Sequence, residues 1–163
     1  MISFQGLGGS FWILAALAFV LPQTGTAQDR DTQEIQRYVL TDAAFAKYKV
    51  AAKKLATLPA GGCDEGEDSE SIAVIVAKLD AVPAARAAIT SAGMTTREYI
   101  VFSFSLVQNA LAAWAVSQPG GKLPPGASQA NVDFYRRHAA EIESLPKGKE
   151  PDCDEAAEDD YTE

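Results

Sequence analysis

The chain has 163 residues, with 22 acidic against 14 basic side chains, a formal charge of −8 and a mean hydropathy of −0.06. That length holds one ordinary domain with a hydrophobic core and excludes two. The acidity, and the lack of a basic patch interleaved with aromatics, argue against nucleic acid as a partner.

Phe11 to Leu21 is an unbroken apolar run, followed by Pro22 and the small residues Gly25-Thr26-Ala27. A run this short does not span a bilayer, and a small-x-small ending suits a signal peptidase, so residues 1–27 are read as a secretory signal peptide cleaved after Ala27. The segment departs from the usual pattern in one respect, because Met1 to Ser10 contains no Lys or Arg. The expected location is the periplasm or the exterior, with no membrane span left after cleavage. No ionisable side chain lies in the leader, so the full charge of −8 belongs to residues 28–163.

The remainder reads as helix. A short helical piece is expected around Glu34 to Leu40. Between Thr41 and Leu58, Phe45, Tyr48, Ala52 and Leu55 recur at steps of three and four, with Thr41 as cap and Pro59 as stop. An acidic loop follows over 60–70, then a short helix in which Ile72, Ile75, Val76 and Leu79 share a face. Pro83 suits the first turn of the next helix, which ends at Gly93. Thr95-Thr96-Arg97-Glu98 fits a capping box and opens a helix over 96–117 that is apolar nearly all round. Ser103, Ser105, Gln108 and Asn109 interrupt it, so the buried centre of a bundle is expected there rather than a membrane span. The loop Leu123-Pro124-Pro125-Gly126 leads to Ser128, the expected N-cap of a last helix reaching about Leu145. The prediction is an all-α fold: a small bundle of four to five helices over 28–149 around a central apolar helix, with a flexible acidic tail over 150–163.

Chemistry-bearing patterns are sparse. Cys63 and Cys153 are the only cysteines, each flanked by carboxylates that disfavour the reactive thiolate. In an exported chain they predict one disulfide, which would close a loop of about 90 residues and stabilise the fold by about 4 to 5 kcal/mol in the chain-entropy model. Five acids lie in Asp64 to Glu70 and eight in Glu150 to Glu163, leaving 9 acids against 14 bases elsewhere. Their spacing fails the EF-hand pattern, so a solvated surface is expected ahead of a calcium-responsive one. His138 is the single histidine, which excludes multi-histidine zinc sites and the haem-attachment motif.

Two ligand-facing groups remain. Ser105, Gln108 and Asn109 form a narrow polar stripe on the apolar helix, and such amides either bond to neighbouring helices or face a ligand-sized cavity. His138 with Glu141, three residues on, or with Glu98 is the one constellation that suggests an enzyme. The expected function is a non-enzymatic binding or structural protein, without cofactor, metal or catalytic residue, whose partner is a protein or a small apolar ligand. The alternative is a metal-dependent or hydrolytic enzyme using His138 and a carboxylate.

Four stretches carry a resemblance: Val39-Leu40-Thr41, Arg97 to Ser103, Leu123-Pro124-Pro125-Gly126 and Asn131-Val132-Asp133-Phe134. Together they resemble uncharacterised exported all-helical proteins of bacteria. That resemblance implies export and a helical domain, and brings no site residues.

Overall fold

The computed structural model describes residues 26–59 and 70–148. Among these the regular structure is entirely helical: α1 (Ala27–Arg37), α2 (Asp42–Leu55), α3 (Ile72–Asp80), α4 (Pro83–Thr90), α5 (Thr96–Ser117) and α6 (Gln129–Glu143). The described residues thus hold six helices, close to the four to five expected.

Local chemistry accounts for most of the boundaries. Thr41 caps α2 by accepting from the Ala44 amide, and Ser71 caps α3 by accepting from Val74. Pro83 opens α4, and Thr95 and Glu98 close a reciprocal capping box on α5. One boundary and one cap interaction differ from expectation. Helix α1 starts at Ala27 rather than near Glu34, because Thr26 and Asp29 form a capping box of their own. The short Asp at the third position hides this motif from a search for Glu or Gln. Ser128 occupies the N-cap of α6, yet its side chain makes no capping hydrogen bond.

Helix α5 touches each of the other five helices. Its Phe102 is fully buried among Tyr38 at 5.9 Å, edge-on, Phe45 at 6.3 Å, stacked, and Tyr48 at 4.7 Å. Phe45 in turn meets Phe134 of α6 edge-on at 5.8 Å. Burial first, and the neighbouring Tyr48 second, hold the Tyr99 hydroxyl well above the ordinary tyrosine range. A second cluster packs Ile72 of α3 against Ile100 and Val101, and a third packs Val132 of α6 against Ala112 and Ala113.

The core does not surround α5 evenly. Val107, Leu111 and Trp114 are 58%, 64% and 65% exposed. Of the most apolar window of this helix, with a mean hydropathy of 1.5, only 44% is buried in the protein. The expectation of a helix buried all round therefore fails over its second half, where no other helix among the described residues covers one flank.

Polar groups fasten the connection between α1 and α2. Asn131 of α6 accepts from the buried Leu40 amide at 3.0 Å and donates to the Tyr38 carbonyl at 2.8 Å. Replacing Asn131 by Ala strands both backbone groups in a low-dielectric interior, which costs about 1 to 3 kcal/mol. Urea denaturation is expected to show that loss in Asn131→Ala, with the helical circular dichroism of the folded state retained.

Candidate functional site

The polar stripe on α5 divides once the helices pack. Ser105 is fully buried and its Oγ donates to the Ile35 carbonyl of α1 at 3.2 Å. Asn109 Nδ2 donates to the Ser105 carbonyl at 2.7 Å, while its buried Oδ1 has no partner among the described residues. Both side chains therefore serve the interior. Gln108 is half-buried and lines a cleft instead.

That cleft has a volume of 320 Å³ and joins the last turns of α5 to the loop that follows. Gln108, Leu111, Trp114 and Ala115 form the helical wall, and Pro124, Pro125 and Ala127 the other. The wall continues upward as a row of apolar side chains, Phe104, Val107, Leu111 and Trp114, spaced three, four and three residues apart on one face of the helix. Pro119 and Gly120 break α5 and send the chain back along it. The Pro124 carbonyl accepts from the Ala127 amide at 3.1 Å, closing a turn that presents the two prolines to the helix. Gly126 sits at φ 79°, and a Cβ there would lie 2.4 Å from the Gln36 side chain of α1. Glycine thus lets the proline wall lie against α1, and the cleft depends on that approach.

Leu111 and Trp114 belong to the helix expected to be buried, and Pro124-Pro125 to the loop expected after it. Their apolar character was visible in the sequence, but nothing local says that α6 stops short of this flank.

His138 lies elsewhere, between α6 and α2. Its Nε2 is 2.8 Å from Asp42 Oδ1 and its Nδ1 3.4 Å from Glu141 Oε2. The ring packs against Phe134 at 4.5 Å and Phe45 at 5.0 Å, which leaves its side chain 22% exposed. Lys49 pairs with Glu141 and lies over the Phe45 ring. Its hydrogen bond is the main cause holding the Glu141 carboxyl below the ordinary range, with His138 adding to it. These groups form a surface network that ties two helices together. Asp42 was not among the predicted site residues; as the first residue of α2 it resembled a helix-start acid and nothing more. Glu98, the other proposed partner of His138, is committed to Thr95 at the start of α5.

A second concavity, of 500 Å³, is lined by Arg30, Gln33, Glu34, Arg37 and Tyr38. Glu34 there pairs with Arg97 of α5. Among the described residues no group of three or more His, Cys, Asp or Glu is arranged to hold a metal ion. Cys63 and Cys153, and with them the predicted disulfide, lie outside the described residues, as does the acidic tail. Searches against protein-family models, curated proteins and solved structures find no match.

Two expectations follow. Gly126→Ala forces a side chain into the left-handed region, costing about 1 to 2 kcal/mol before the contact with Gln36 is counted. Thermal unfolding should show that loss, and Trp114 emission should shift as the proline wall moves. The second concerns acid. The Thr95 backbone amide is the main cause lowering the Glu98 carboxyl below its ordinary value, so the charged form stabilises the fold above the unfolded-state value and loses that effect as pH falls through the folded one. Glu98→Gln keeps the cap but not the charge. Its stability deficit at neutral pH should shrink between about pH 5 and pH 3, read by chemical denaturation at each pH.

Proposed function

We propose that the chain is an exported, non-enzymatic binding protein, probed by its ligand at the cleft between α5 and the Pro124-Pro125 wall. The observation that carries this reading is the exposed apolar row Phe104, Val107, Leu111 and Trp114, which ends in that cleft. Isolated exposed apolar residues are ordinary; a continuous row leading into a concavity marks a binding surface. A volume of 320 Å³ falls at the small end of known ligand pockets, which points to a small apolar molecule as the occupant. The Gln108 side chain has no hydrogen-bond partner among the described residues, so its amide is the polar group available to orient a ligand. In this reading α5 is the central apolar helix of the bundle, and its open flank is the binding face.

Export rests on the leader and on the resemblance to exported bacterial helical proteins. Cleavage after Ala27 and a bridge between Cys63 and Cys153 belong to the same reading, as does the absence of a membrane span from the mature chain.

A second reading draws on one observation, that His138 is flanked by the carboxylates of Asp42 and Glu141. A hydrolytic or metal-dependent enzyme would use that imidazole as base or ligand.

Trp114 is the one tryptophan in residues 28–163, so its fluorescence reports on the cleft alone. Titration of the mature protein with a neutral naphthylphenylamine probe is expected to quench Trp114 saturably. Leu111→Asp should abolish the response while leaving the helical spectrum intact, and His138→Ala should leave it unchanged. A Trp114 signal that never saturates would sink the cleft as a ligand site.

A further inference from the structure

Of the last two residues of the expected leader, Thr26 is the N-cap of α1 and Ala27 is its first residue. Thr26 Oγ1 accepts from the Asp29 amide at 3.2 Å, and the Thr26 amide and hydroxyl each donate to Asp29 Oδ2 at 2.9 Å. Cleavage after Ala27 removes the cap and every partner named here for Asp29. It also places a new α-ammonium group on Gln28, at the end of α1 where the helix dipole is already positive. The rest of α1 is held independently: Asp31 accepts from the Ile72 amide at 2.7 Å and Glu34 pairs with Arg97. Removal of the leader therefore changes the first turn and leaves the helix docked.

The residue uncovered is a glutamine with an exposed side chain whose amide has no partner among the described residues. An N-terminal glutamine carries its own electrophile. The unprotonated α-amine attacks the side-chain carbonyl carbon Cδ, an N–Cδ bond forms, a proton passes to Nε2, and the Cδ–Nε2 bond breaks to release ammonia. The product is a five-membered lactam, and no oxidant, reductant or cofactor takes part. The reaction discharges the amine that opposes the dipole of α1, so the folded helix favours the closed form over the ammonium form.

We propose that Gln28 is a modification site, cyclised to pyroglutamate in the mature protein. This rests on the export reading, and on cleavage after Ala27 in particular. The test is intact mass and N-terminal peptide sequencing by mass spectrometry on protein expressed from the full chain and recovered from the exported fraction. The expected result is a chain beginning at residue 28 with a mass lower by one ammonia than its sequence. Gln28→Asn, whose shorter side chain would have to close a strained four-membered ring, should show its full sequence mass. A chain that begins with an open Gln28 overturns the proposal and leaves export standing. A chain that begins elsewhere overturns the cleavage reading and the proposal together. An ammonia loss that persists in Gln28→Asn places the change at another residue and also overturns it.

Discussion

The structure depends on burial of the Phe102 ring. Four segments of the chain contribute to the aromatic cluster around it: Tyr38 from the end of α1, Phe45 and Tyr48 from α2, Tyr99 from α5 itself and Phe134 from α6 through Phe45. Each buried aromatic removes a large apolar area from water, and the edge-on pairs add a preferred geometry to that burial. The same cluster seats His138, whose imidazole spans the gap between α6 and α2 with Phe45 and Phe134 beneath it. Without this cluster α2 and α6 have little to hold them on the same side of α5.

Polar contacts then select one arrangement from the many that apolar packing permits. Asn131 reads two backbone groups of the α1–α2 connection, Ser105 reads a third in α1, and Asp31 caps the first amide of α3. These contacts are buried or half-buried, so a shift of any helix leaves unpaired groups in a low-dielectric interior. Surface pairs such as Lys49 with Glu141 contribute far less each, because solvent screens them.

Such an economy of burial leaves α5 unfinished along one side. Its first half carries the aromatic cluster and the contacts to α3; its second half meets α6 on one flank only. The Pro124-Pro125 wall covers part of what remains, leaving a cleft and an apolar row in solvent. Buried and open faces therefore run side by side along this part of one helix, which is why Ser105 and Asn109 of the predicted stripe are buried while Gln108 lines the cleft.

Helix positions and caps were legible in the residues themselves, since Thr41, Ser71, Pro83 and the Thr95 to Glu98 box act over three or four neighbours. The start of α1 was not, because an Asp stands in the place of Glu and the motif overlaps the stretch read as a leader. Which apolar residues of α5 are core, and which form a face, has no local signature: Phe102 and Leu111 are equally apolar and differ only in what packs over them. The pairing of His138 with Asp42, 96 residues away, is equally invisible in one dimension. By itself the sequence determined the helices and most of their ends, which rest on short-range hydrogen bonding and composition. Tertiary structure decided the open flank, the cleft and the histidine's partners, because each depends on the distance between segments that only packing brings together.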